Sequence, residues 1–162
     1  MVTLRPATRD DRQAIATMHA ASIRRLGRTH YDEQQVRAWA GNKRPERYPV
    51  GEEDEYLVVA EFDDELAGYG HLRLEDGEVR AVYVSPDFAR RGVGRALLDH
   101  LESIARADGH VDCYLYASLN AVPFYEQAGW SVVDEETVET SGDGVTAALP
   151  VRVMEKDFET VE

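Results

Sequence analysis

The sequence predicts an α+β fold: a central, mostly antiparallel and twisted sheet of about seven strands with one parallel pair, flanked by about four helices. Three observations carry that expectation. Short apolar runs rich in β-forming residues recur between Gly, Pro and Asp turn signals. Two of them, over 79–84 and 111–117, are joined by a long amphipathic helical stretch, so they should pair in parallel through a right-handed crossover. The remaining strands are antiparallel, with Asp76-Gly77 the strongest hairpin signal.

Val2-Thr3-Leu4-Arg5 alternates as a first strand. Thr8, with Asp11 three residues on, resembles a capping box, and Ile15, Met18, Ser22, Ile23 and Leu26 mark one face of a helix from about 10 to 26. Asp32 caps a second helix, with Gln35 at its third position and Val36, Trp39 and Ala40 inward. Residues 41–55 hold Pro45, Pro49 and the run Glu52-Glu53-Asp54-Glu55, and read as a long polar loop of the kind that serves function. Tyr56–Phe62, Leu66–Leu74 and Val79–Val84 form a meander that Ser85-Pro86 stops. A helix follows over 92–108, its apolar face made by Leu97, Leu98, Leu101, Ile104 and Ala105, with Gly109 at its end. Val111–Ala117 is the fifth strand, with Val111, Cys113, Leu115 and Ala117 on one face and Tyr114 and Tyr116 on the other. Asn120–Ala128 is a short helix stopped by Gly129, and Trp130–Val138 and Ala147–Phe158 form a last hairpin around Ser141-Gly142-Asp143-Gly144.

The 162 residues are expected to form a single domain with a real core. No apolar run reaches membrane-spanning length, the first residues lack a signal-peptide core, and Cys113 stands alone as a small buried strand residue. A cytoplasmic protein without membrane partners is expected. The net charge of −13 argues against a nucleic-acid partner, whose phosphates need a basic face. Nearly every cation is arginine, Lys43 and Lys156 being the only lysines, a composition like that of acidic proteins from salt-loving organisms. The five histidines show no metal-ligand spacing, so no metal is expected.

Against that acidity, Arg90-Arg91-Gly92-Val93-Gly94-Arg95 stands out. The first N–H groups of a helix lack intrahelical partners and face the positive end of its dipole. Gly92 and Gly94 would let a ligand approach that backbone, and Arg90, Arg91 and Arg95 can fork onto phosphate. Solvated arginines around glycines kept for packing explain the stretch equally well from spacing alone. No P-loop pattern is present, and Leu97 occupies the third glycine's place of a dinucleotide fingerprint.

Val82-Tyr83-Val84-Ser85-Pro86, then Arg91-Gly92-Val93-Gly94-Arg95-Ala96-Leu97-Leu98, resembles the acetyl-CoA-binding motif of the GCN5-related N-acetyltransferases. Asn120-Ala121-Val122-Pro123-Phe124-Tyr125-Glu126-Gln127-Ala128-Gly129-Trp130 resembles the family's second motif, and the likeness runs over nearly the whole chain. Where the family often carries Gln or Arg, this chain has Ala89, which removes one side-chain phosphate contact and leaves the backbone cradle.

The resemblance implies acetyl transfer from acetyl-CoA to a primary amine, on a small molecule or on a peptide or protein, by direct attack. The backbone of Val82, Tyr83 and Val84 would pair with the pantetheine amides as an added strand would. The N–H groups from Ala89 through Arg90, Arg91, Gly92, Val93 and Gly94 to Arg95 would hold the pyrophosphate, and Asn120 would bond the CoA arm. Tyr125 would give the leaving thiolate its proton. Glu78 matches the glutamate base of histone-type members; His71 and water stand beside it as alternative proton acceptors. The first two helices, the 41–55 loop and the last hairpin would bind the acceptor, and an exposed terminal strand could pair in a homodimer. A module that binds acyl-CoA without turnover is the rival expectation; it would not need Tyr125.

Overall fold

The computed structural model describes residues 2–158. Its strands are β1 (Val2–Pro6), β2 (Glu55–Phe62), β3 (Glu65–Arg73), β4 (Glu78–Val84), β5 (Asp112–Ser118), β6 (Ser131–Gly142) and β7 (Val145–Asp157). Its helices are α1 (Arg12–Leu26), α2 (Glu33–Ala40), α3 (Val93–Ala107) and α4 (Val122–Gln127). The strands form one seven-stranded sheet in the order β1-β2-β3-β4-β5-β7-β6. Only β4 and β5 are parallel; the other neighbours are antiparallel. The class is α+β, as the sequence predicts.

Helices cover both faces, so the central strands are buried on both sides. Leu57–Ala60 of β2 and Ala67–Leu72 of β3 are continuous buried runs rather than alternating ones. On one face α3 lays Leu97, Leu98, Leu101 and Ala105, all fully buried, against Val58, Leu72, Leu115 and Met154. Burial of each such leucine contributes about 2 kcal/mol. On the other face Ile15 and Met18 of α1 pack with Tyr48, Val59 and Tyr69, while Ile23, Tyr31 and Val36 pack with Leu149 and Val151.

Local chemistry sets the boundaries. The Asp32 carboxylate accepts the Gln35 N–H at 2.8 Å and Gln35 reciprocates, which starts α2. Thr8 and Asp11 form the same device, but it opens a 3-10 turn over 9–11 that leads into α1. The last hairpin is longer than its sequence suggests. Ser141 and Gly142 stay in β6 and only Asp143-Gly144, both at positive φ, make the turn. Val111 is 72% exposed and precedes β5 rather than facing the core, because its carbonyl is taken by Phe158 N–H where the strand begins. Leu26, at the end of the α1 stripe, is 49% exposed. Residues 119–121 are a 3-10 turn, so α4 is shorter than the expected helix. No helix among the described residues is long and apolar enough to cross a membrane.

Candidate active site

The parallel pair is joined at one point only, Glu78 opposite Tyr114. Beyond it β3 holds β4 and β7 holds β5, and the two strands part. The Ser85 N–H donates to Ala67 O at 2.7 Å, and the register sets Tyr83 opposite Tyr69. By alternation, Tyr83 turns its main-chain groups to β3, whereas Val82 and Val84 turn theirs into the gap. Arg80 is an extra residue in β4, since Ala81 faces His71 and Val79 faces Leu72.

A cavity of about 220 Å³ occupies the gap. Val82, Val84, Asn120, Phe124 and Tyr125 line it, and Ser22 and Leu26 reach it from α1. The Asn120 Oδ1 is buried without a hydrogen-bond partner. Tyr125 is 6% exposed, and its ring meets Phe124 and Trp130 edge-on at 5.1 and 6.1 Å between centroids. Burial pushes its phenol above the ordinary tyrosine range.

The gap leads to the mouth of α3. Gly92 caps the helix at φ +79° with no side-chain cap, and the bond from Ala96 N–H to Gly92 O is the first of the helix. The N–H groups of Val93, Gly94 and Arg95 are therefore left without helical acceptors. A Cβ on Gly94 would lie 3.2 Å from Phe124 and 3.3 Å from Val84, so glycine lets the helix mouth lie against α4 and β4. Val93 buries its side chain in the core, while Ala89 is exposed. Arg90 sits at φ 64°, exposed, with no ion pair among the described residues. The Arg91 guanidinium lies over the rings of Phe62 and Phe88, at 5.4 and 5.6 Å. Arg95 bonds Asp99 at 2.9 Å on the exposed face of the helix.

A second cavity of about 600 Å³ opens on the α1 side of the sheet, between α1, α2, the 41–55 loop and the β6–β7 hairpin. It shares Arg80, Ala81, Tyr83, Tyr116 and Ser118 with the first, so the two meet beside β4. Glu78 lies here, not beside Tyr125. Its carboxylate accepts from Arg73 at 2.9 Å and Arg80 at 3.2 Å, and burial raises its pKa against their pull. The His71 Nε2 is 2.7 Å from Glu55, yet burial lowers its pKa. His19, 7% exposed, brings Nδ1 within 2.9 Å of the hydroxyls of both Tyr48 and Tyr69. Its ring lies 4.1 Å from that of Tyr83, and burial holds it neutral. Among the described residues no group of three or more His, Cys, Asp or Glu is placed to hold a metal ion.

His19, Tyr48, Lys43 and Arg47 are among the cavity residues that the motifs do not reach. His19 continues the Ile15–Ile23 stripe at helical spacing, which is the one signal that it turns inward.

A slot edged by main-chain groups, ending at an anion-ready helix mouth and opening beside a second cavity, is the architecture of a group transferase that holds a long acyl carrier. The model of the acetyltransferase (GNAT) domain matches residues 28–147, and the chain belongs to this family of N-acetyltransferases. It is 27% identical over 132 residues to the uncharacterized N-acetyltransferase YafP of Escherichia coli K12, covering 82% of this chain and 83% of that one. A GCN5-related N-acetyltransferase from Rhodopseudomonas palustris superposes with a TM-score of 0.86 at 28% identity, over 96% of this chain and 95% of that one. The PaiA N-acetyltransferase of Thermoplasma acidophilum, solved with coenzyme A, has the same fold at 22% identity, with a TM-score of 0.78 over 98% and 99% of the two chains.

Proposed function

We propose that the protein transfers an acetyl group from acetyl-CoA to a primary amine by direct attack, without an acyl-enzyme. The observation that carries this reading is the free main-chain edge of β4, which runs from the meeting point of the cavities to the open mouth of α3. Coenzyme A has amides along its arm and a pyrophosphate at the far end, in that order. Val82 and Val84 supply donors and acceptors to the arm, and one of their N–H groups polarises the thioester carbonyl. The partnerless Oδ1 of Asn120 gains an amide donor there. Val93, Gly94 and Arg95 give their N–H groups to the pyrophosphate, with the loop from Ala89 to Gly92 around it and Arg90 and Arg91 as cations at its rim. Tyr83 stands between the two cavities as a wall.

The amine enters from the larger cavity and attacks the carbonyl carbon; the C–S bond breaks and the sulfur leaves as thiolate. Tyr125, neutral because it is buried, gives the thiolate its proton. Glu78, its pKa raised, takes the proton of the amine through water, with neutral His71 as the alternative acceptor. The acceptor is a small amine or the amine of a peptide or protein. Calorimetry with acetyl-CoA, followed by a consumption screen over amines, amino acids and peptides, tests the reading. Micromolar binding and amine-dependent release of CoA are expected, and failure to bind acetyl-CoA overturns it.

A further inference from the structure

We infer that the acceptor is a small amine that also carries an anionic group, and that Lys43 and Arg47 hold that group; this rests on the acetyl-transfer reading above. The charge inventory of the larger cavity points there. In a chain of net charge −13, the cavity gathers Lys43, Arg47, Arg73 and Arg80. Its carboxylates are Glu55, Glu78 and Glu139. Glu78 is paired with Arg73 and Arg80, while Glu55 is held by a hydrogen bond to His71. Glu139 lies exposed on β6 and makes no ion pair with Lys43 or Arg47. Among the described residues, neither cation has a carboxylate within 4.0 Å.

These two cations are also neighbours. Burial and the charge of Arg47 lower the Lys43 pKa to about 8. Lys43 is half-buried and Arg47 exposed at the cavity rim; a half-buried ammonium beside a like charge, without a counter-charge, is unfavourable in the empty protein, and an anion from outside relieves it. The other lysine shows what the fold does when a lysine serves structure alone. Lys156 donates to Glu102 at 2.7 Å and to Ala128 O at 2.8 Å, so its charge is satisfied. The same cavity is also lined by Tyr31, Trp39, Val138, Leu149 and Val151, which suit an apolar body. About 600 Å³ is the size of a small-molecule site. The anion is then anchored at the 41–55 loop while the amine reaches toward Tyr83 and the thioester.

The test uses matched pairs: alanine, leucine and phenylalanine, each against the amine left by removing its α-carboxylate, with the aminophosphonate analogue of phenylalanine as a third arm. Acetyl-CoA consumption gives kcat/KM, and calorimetry of the N-acetylated pairs on the CoA-loaded protein gives affinity without turnover. The anionic member of at least one pair should be favoured on the order of ten-fold or more. Lys43→Met should bring that ratio to about one, through KM, and Lys43→Arg should keep most of it. The phosphonate arm tells a carboxylate site from a phosphate-type site. Equal or weaker handling of the anionic member in every pair, by rate and by affinity, overturns the inference, as does an unchanged ratio in Lys43→Met. If amines without an anionic group are acetylated and no such preference is seen, only this inference falls. If acetyl-CoA does not bind at all, the acetyl-transfer reading falls and this inference with it.

Discussion

The two cavities meet at Tyr83 yet are made of different material. The smaller one offers main-chain groups: the edge of β4 at Val82 and Val84, and the helix mouth at Val93, Gly94 and Arg95. The larger one offers side chains: Lys43, Arg47, Glu55, His71, Glu78 and Arg80. Main-chain groups are the same in every protein, so a site built from them suits a ligand that never changes. Side chains vary by substitution, so a site built from them can be refitted to a new acceptor while the fold stays.

The largest expected effect lies where the smaller cavity depends on a side chain after all. Tyr125→Phe should lower kcat by about 10²–10⁴-fold with the acetyl-CoA Kd little changed, and equal turnover removes Tyr125 as the acid. Val84→Pro removes an N–H that faces the gap and none that bonds β3. A fall of about 10²-fold in kcat/KM for acetyl-CoA is expected in the folded variant, while a wild-type value would show that the strand edge is not used.

The lysines contrast by stability. Lys156→Met leaves Glu102 buried without its cation and should cost about 3 kcal/mol in urea unfolding. Lys43→Met should instead raise Tm near pH 7, because folding lowers the pKa of Lys43. The sign follows from linkage: between about 8 and the unfolded value the unfolded chain binds more protons, so wild-type stability rises with pH there and the difference narrows. A Tm loss on Lys43→Met at pH 7 would contradict this. The smallest effect belongs to Glu78→Gln. A base is active when deprotonated, so the wild-type rate should climb as pH rises through a value above the usual carboxylate range. The variant should lose that limb and on the order of ten-fold in rate. An unaltered limb moves the role to His71 or water.

The smaller site was legible because its signals are local. Gly92 at φ +79°, Pro86 ending a strand and Asn120 before a short helix all constrain nearby backbone, and that constraint is written in consecutive residues. The larger site was legible only in the segments that enclose it and in Glu78 and His71. Lys43 and Arg47 in a loop, His19 on a helix and Glu78 on a strand come together only through the sheet order, and nothing in their spacing says so. Boundaries failed for the same reason. Ser141 and Gly142 look like turn residues, yet cross-strand pairing with Thr146 and Val145 keeps them in β6.

The single pairing of β4 with β5 has a further consequence. Unpaired strand edges are hazardous at the rim of a sheet, where another chain can dock against them. Here such an edge lies in the middle of the molecule, roofed by α1 on one side and α4 on the other. An edge enclosed in this way is sheltered from another strand, while its N–H and C=O groups stay open to whatever enters the cavity along it.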